Sequence, residues 1–355
     1  MPRPIRATIN LAALTHNLAV IRQHATKGAR IWAVVKANAY GHGLFQAITA
    51  LDNADGFALI EIDKAMMLRK QGVQKPILLL EGFFDEQDCL DTLHYELTPV
   101  ICEAWQIDLL ARCLQGRSIP VYLKYNTGMN RMGFNDDQIK DAIRQIEMLG
   151  CPITIMSHFA NADNSIGIDA PWGKIMPYAD QFPMSVANSA AILKYPQTHA
   201  DWIRPGISLY GGSPFDDCPA ETLDLQPVMT LSANIIGTQN IKAGDSVGYS
   251  STFISDKAMR IGIVACGYGD GYPRSMPTGS PVLVDNIPSQ TIGRVSMDML
   301  CVDLTHIPSA NIGSTVTLWG EGLSADRVAQ CINTISYELF CKITPRVPFI
   351  YTSHE

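Results

Sequence analysis

From residue 31 to about residue 205 the chain repeats one pattern. A short apolar run rich in Val, Ile or Leu is followed by a longer polar stretch with helical period. Eight such runs occur: Ile31–Val35, Gly56–Ile60, Pro76–Leu80, Leu97–Ile101, Ile119–Leu123, Pro152–Met156, Phe182–Val186 and Trp202–Arg204. Between them Glu61–Gln71 places Ile62, Ala65, Met66 and Leu68 on one face, and Glu103–Leu114 and Asp136–Leu149 behave likewise. The last link, Asn188 through Lys194, is short. Buried strands that alternate with helices imply a parallel sheet covered by helices. Eight strand–helix units in about 200 residues predict an α/β fold closed as a (β/α)8 barrel, with an open doubly wound sheet as the alternative on counting alone.

After about Asp224 the texture changes. Val228–Ile236, Ser246–Tyr249, Arg260–Val264, Pro281–Val284, Thr291–Val295, Leu300–Leu304 and Thr315–Trp319 are short strand-like runs broken by Gly, Pro, Asp and Asn. A helical stretch follows only at Asp326–Thr334. This predicts a mostly antiparallel β domain. The Pro- and Asp-rich segment 213–226 marks the boundary, giving a barrel domain over 1–225 and a β domain over 226–355, with residues 1–10 packing against the latter.

Composition narrows the class. The chain has 355 residues, 47% apolar and 17% charged, enough for a large core and against disorder. A net charge of −7 gives no footprint for nucleic acid or an anionic membrane. The longest apolar runs fall far short of the roughly 20 residues that span a bilayer, and Met1-Pro-Arg-Pro-Ile-Arg6 does not lead into a secretory apolar core. Nine cysteines stand singly with no CxxC pair, which reads as core thiols in a reducing cytoplasm. His42, His94 and His199 lack ligand spacing and no HExxH occurs, so no metal site is expected. The absence of GxxxxGK[ST] excludes a nucleotide P-loop.

The candidate chemistry begins at Ala33-Val-Val-Lys36-Ala-Asn-Ala-Tyr40-Gly-His42-Gly. A lysine at the carboxyl end of a barrel strand points into the mouth where active sites of that fold are built. Held by apolar walls it loses basicity and can form a Schiff base with an aldehyde; by position alone it is equally a lysine snorkelling off a strand end. The stretch resembles the pyridoxal phosphate (PLP) lysine motif of bacterial alanine racemases. Further blocks match in the family's order: Lys124-Tyr-Asn-Thr-Gly-Met-Asn-Arg131, Ser157-His158-Phe-Ala-Asn-Ala-Asp163, Ala187-Asn188-Ser189, Arg204-Pro-Gly206-Ile207, Val247-Gly-Tyr249, Gly267-Tyr268-Gly-Asp270, Gly293-Arg-Val-Ser-Met297-Asp298 and Tyr337-Glu-Leu-Phe-Cys341.

The resemblance implies a PLP-dependent racemase that interconverts L- and D-alanine and supplies D-alanine for peptidoglycan in the cytoplasm. Racemisation needs an electron sink, a base on each face of a planar carbanion and a clamp for the carboxylate. By resemblance Lys36 holds the cofactor and is one base. Tyr249 is the other, reaching in from a second subunit of a homodimer. A tyrosine needs nearby positive charge to act near neutral pH, and in the family a hydrogen-bonded histidine and arginine, here His158 and Arg204, provide it. The arginine also faces the ring nitrogen of PLP, where a group that only donates leaves that nitrogen unprotonated.

By the same resemblance Tyr40, Ser189, Gly206, Ile207 and Tyr337 bind the cofactor phosphate, with Asn188 beside them. Arg131 binds the cofactor's phenolic oxygen and the substrate carboxylate. Lys124 matches a lysine that many relatives carbamylate to orient that arginine, although Asn126 stands where many write Asp. Met297 and Asp298 match partner-subunit residues near the substrate, and Tyr268 narrows the entrance. Ser250 stands where glycine is usual and Gly269 where alanine is usual. Competing readings are a broader amino-acid or serine racemase, a barrel-fold PLP decarboxylase, whose differently placed cysteine is absent, and a non-catalytic PLP carrier. A carrier would have no use for the residues after the barrel.

Overall fold

The eight apolar runs form eight parallel strands that close on themselves. The computed structural model describes residues 3–353. A first strand, β1 (Ile5–Asn10), leads through the Asn10 side chain, which accepts from Ala13 N at 3.1 Å, into a helix over Leu11–His24. The barrel follows as β2 (Arg30–Val34), β3 (Gly56–Leu59), β4 (Ile77–Leu79), β5 (Thr98–Ile101), β6 (Val121–Lys124), β7 (Ile153–Met156), β8 (Met184–Ser185) and β9 (Trp202–Ile203), each paired with the next and β9 with β2. The closed barrel therefore replaces the doubly wound alternative. Every strand lies within the apolar run that predicted it or within a residue of it.

Inside the barrel, side chains of the paired strands β2 and β9 and of the more distant β6 meet. Trp32 on β2 stacks on Trp202 at 4.2 Å between centroids and meets Tyr122 of β6 edge-on at 6.0 Å. Its indole N–H donates to the Tyr122 hydroxyl at 2.9 Å, so the polar atoms of this buried aromatic cluster satisfy each other.

The second domain contains β10 (Met229–Ile241), β11 (Ser246–Val247), β12 (Phe253–Ile254), β13 (Met259–Val264), β14 (Pro281–Val284), β15 (Ile287–Ile292), β16 (Leu300–Asp303), β17 (Thr315–Trp319) and β18 (Phe349–Thr352). Its main sheet runs β13-β16-β15-β14-β17-β10-β1-β18, and β13 pairs again with β10, so six strands form a ring. The pairs are antiparallel except β1 with β18. β1 lies between β10 and β18, so residues 5–10 belong to this sheet while the helix they lead into covers the barrel.

Several elements differ from the sequence reading: β10 runs on to Ile241 past the expected Ile236, and β12 and β18 were not foreseen. The strand expected at Thr291–Val295 lies instead at Ile287–Ile292, ended by Gly293 in the left-handed region (φ 68°). The run expected through Tyr249 stops at Val247, and Tyr249 opens a single 3-10 turn. The expected helix at Asp326–Thr334 spans Ala325–Gln330, and a second follows at Ser336–Cys341. Five cysteines are buried, three are half-buried and Cys341 is exposed; none is bonded to another. Among the described residues no helix is long and apolar enough to cross a membrane, and no cluster of His, Cys, Asp and Glu could hold a metal ion.

Candidate active site

The barrel strands end around a cavity of about 580 Å³. Lys36, one residue past the buried Val35, opens into it. The chain then takes an uncommon path: Ala37, Asn38, Ala39 and Tyr40 have φ of 52°, 55°, 54° and 52°, a left-handed helical turn. Each such residue costs roughly 1–2 kcal/mol, so surrounding contacts must impose the turn. Glu61 Oε1 accepts from Ala37 N at 3.1 Å, and Asn38 Oδ1 accepts from Leu44 N at 2.9 Å. The His42 ring sits wholly buried with Nδ1 3.1 Å from Ala39 O and 2.9 Å from Tyr40 O. Both neighbours are carbonyl oxygens, so Nδ1 carries the proton and donates. Burial lowers the His42 pKa to about 4, and the ring is neutral at physiological pH.

Tyr40, at the end of this turn, stacks on Tyr210 at 4.7 Å and lies 5.9 Å from the Tyr337 ring. Burial pushes the Tyr40 and Tyr337 hydroxyls above the ordinary tyrosine range, so both keep their protons and can donate. Tyr337 arrives on the helix Ser336–Cys341 of the second domain. Asn188 caps the helix Ser189–Lys194, its side chain accepting from Ala191 N at 3.0 Å, and Ser189 Oγ accepts from Gly206 N at 2.9 Å. A Cβ on Gly206 would lie 2.5 Å from the Tyr40 hydroxyl. The bare glycine thus leaves a notch walled by hydroxyls and a backbone N–H, with Ile207 beside it.

The opposite wall is cationic. Lys124 is the last residue of β6, Arg131 follows it, His158 lies two residues beyond β7 and Arg204 one beyond β9; all line the cavity. Arg204 is only 5% exposed and donates to Ser185 Oγ at 2.7 Å, Ser157 O at 2.6 Å and Val186 O at 3.4 Å. Every acceptor is neutral. Burial lowers this guanidinium to about 10, so it stays charged at pH 7. Burial and then the Arg204 charge bring Lys124 down to about 7 and hold His158 well below the usual histidine range. Burial, followed by the Arg131 charge, lowers Lys36. Arg204 makes these bonds and no direct hydrogen bond to His158, unlike the arrangement expected from the resemblance.

Eleven expected site residues, the seven cofactor residues from Lys36 to Tyr337 around the notch together with Lys124, Arg131, His158 and Arg204, line this one cavity. Tyr249, Tyr268, Met297 and Asp298 line no part of it. They lie on loops of the β domain, with Tyr249 69%, Met297 51% and Tyr268 38% exposed. Sequence reasoning assigned no role to Ser157 and Ser185, which hold Arg204, or to Cys102 and Cys341, which border the cavity; Ser157 and Cys341 stood in matching blocks, while Ser185 and Cys102 carried no signal.

The chain from residue 9 to 214 matches the model of the alanine racemase N-terminal domain, and 228–351 matches that of the C-terminal domain. The chain belongs to the alanine racemase family. Alanine racemase of Nitrosomonas eutropha is 49% identical over 363 residues, covering 99% of this chain and all of that protein. The biosynthetic alanine racemase of Pseudomonas aeruginosa superposes with a TM-score of 0.95 at 42% identity, over 99% of both chains. The alanine racemase of Bartonella henselae, solved with covalently bound pyridoxal phosphate, does so with 0.90 at 27% identity, over 99% of this chain and 100% of that one. Members of the alanine racemase family are PLP-dependent isomerases of amino acids, and the fold and function class expected from the sequence are those of the family. The cavity fits that cofactor: its hydroxyl-lined notch suits a phosphate, its lysine an aldehyde, and its cationic wall the phenolic oxygen and a carboxylate.

Proposed function

We propose that the protein interconverts L- and D-alanine as a cytoplasmic homodimer, feeding D-alanine to peptidoglycan. The observation that carries this reading is the division of the two bases. Lys36 lies in the cavity, while Tyr249 lies outside it on an exposed turn of the same chain. A one-chain site would have a base on one face only; a second copy completes it.

PLP, when bound, acts as the electron sink that acidifies the α-carbon proton. Lys36 holds the cofactor, and its lowered pKa keeps more of the amine as a free base able to take a proton from one face. Tyr249 of the partner subunit delivers a proton to the other face, and the roles reverse for the opposite enantiomer. Arg131 holds the carboxylate, joined by the partner subunit's Met297 through its backbone N–H. Tyr40, Ser189, Gly206, Ile207 and Tyr337 hold the phosphate, with Asn188 fixing the helix that carries Ser189. Arg204, charged and holding its protons at pH 7, would meet the cofactor's ring nitrogen as a hydrogen-bond donor that does not give up its proton, and so would limit side reactions such as transamination. His158 is neutral, and a carbamate on Lys124 would accept from Arg131 and orient it, as the free lysine would not. The partner subunit's Tyr268 and the partner subunit's Asp298 narrow the approach, which favours a substrate as small as alanine.

The test is exchange in heavy water. With PLP and L-alanine the expected result is loss of the α-proton together with deuterated D-alanine, and weaker turnover of serine. Tyr249→Phe should keep the cofactor and lose at least about 100-fold in kcat. Neither exchange nor D-alanine, with PLP bound, would overturn the assignment.

A further inference from the structure

Outside the cavity, the β domain holds a charged cluster. Asp270 is 0% exposed, and its carboxylate meets Arg346 Nε at 3.2 Å, Arg3 Nη1 at 3.3 Å and the Gly267 N–H at 3.0 Å. Burying a carboxylate is costly unless it is paired and hydrogen-bonded, as Asp270 is. The two arginines do more than neutralise it. Arg346 Nη2 also donates to Asp298 Oδ1 at 2.6 Å, and Arg3 Nη2 donates to Asp298 O at 2.5 Å. Each guanidinium therefore bridges two loops, 267–271 and 296–299.

Those loops are zipped along their backbones. Tyr268 N donates to Ser296 O at 3.0 Å and Gly269 N to Met297 O at 2.8 Å. Thr344 adds its hydroxyl to Gly269 O at 2.9 Å and its N–H to Asp270 O at 3.2 Å. The side chains that this fixed backbone carries, Tyr268 and Met297, face outward and pack into no core. Rigid backbone under exposed apolar side chains is the arrangement of a presented surface. The departure at Gly269 belongs to the same device: a Cβ there would lie 2.5 Å from Arg346 Nη1 and 3.1 Å from Met297 O, so an alanine would push the guanidinium end from its present place.

We propose that Arg346, with Asp270, Arg3 and Gly269, positions Tyr268 and Met297 for the cavity of the other protomer. These are positioning residues, because none touches this chain's own cavity. The inference rests on the shared-site homodimer proposed above. When Arg346 is replaced, Asp270 keeps Arg3 and the Gly267 N–H, so the fold should survive the loss of one partner.

The experiment pairs substitutions with hybrid dimers of the PLP-loaded protein. Arg346→Met should raise KM for alanine about tenfold while kcat stays within about threefold, with PLP affinity and dimer mass unchanged. Arg346→Lys, which keeps charge but loses the fork, should recover part of the KM, and Gly269→Ala should shift KM the same way without removing a charge. In a hybrid of Lys36→Ala with Arg346→Met on separate chains, the one working site receives its loops from the chain with intact Arg346, and KM should be normal. With both changes on one chain opposite a wild-type chain, KM should be raised. Unchanged KM in Arg346→Met, or equal KM in the two hybrids, would overturn the proposal. An active monomer by sedimentation would overturn the shared site itself, whatever Arg346 does.

Discussion

Gly206 shows how much chemistry one missing side chain can carry. Its N–H is aimed at Ser189 Oγ, and the space a Cβ would fill is where the Tyr40 hydroxyl stands 2.5 Å away. Gly206→Ala should force Tyr40 aside and weaken PLP binding at least about tenfold, read by fluorescence titration of the apoprotein. Unchanged affinity would remove Tyr40 and Gly206 from the phosphate site. At this scale the residue types were legible from motif order, but not their contacts. Arg204 was legible as a buried arginine after an apolar run; its bonds to Ser185 and Ser157 were not, because they depend on which strands become neighbours. Ser250 departs from the glycine usual in the family and takes φ 64°, a left-handed cost, with Arg294 Nη1 3.4 Å from its hydroxyl.

At the scale of elements, the barrel strands were legible because a parallel strand covered on both faces is an unbroken apolar run. The helix Ser336–Cys341, at six residues, is too short to show a period, yet it delivers Tyr337 to the cavity. Least legible was the left-handed turn after Lys36, since Ala-Asn-Ala-Tyr carries no glycine to announce positive φ. Its clamp, His42, looked like a histidine without ligand spacing. That clamp has a pH signature. Folded, His42 titrates near 4; unfolded, near 6.5. Between these values the unfolded chain holds a proton that the folded chain does not, so stability is lost as pH falls through the window and is unaffected above it. Comparing urea unfolding at pH 7.5 and pH 5, His42→Asn should remove about 2 kcal/mol of the acid-induced loss seen in the parent protein. An equal loss in both would show that the ring is free to protonate in the fold.

For the whole molecule, the division into a barrel and a β domain was visible as a change of period. The packing of residues 1–10 against the second domain was foreseen, but not the strand β1 or its partners β10 and β18, which lie more than 200 residues away in sequence. The decisive prediction at this scale concerns assembly. Lys36→Ala and Tyr249→Phe should each be nearly inactive alone. Mixed and allowed to exchange subunits, half the dimers are hybrids with one intact site, so about a quarter of the parent activity should return. No recovery, with exchange verified by mass, would place both bases in one chain.

The placement of β1 beside β18 also has a mechanical side. The two strands are parallel, with Ala7, Thr8, Ile9 and Asn10 registered against Phe349, Ile350, Tyr351 and Thr352. A force that draws the start of β1 and the end of β18 apart acts along the ladder, so it must shear these pairs together and cannot unzip them singly. The molecule resists an end-to-end pull at its weakest-looking place, its two terminal strands.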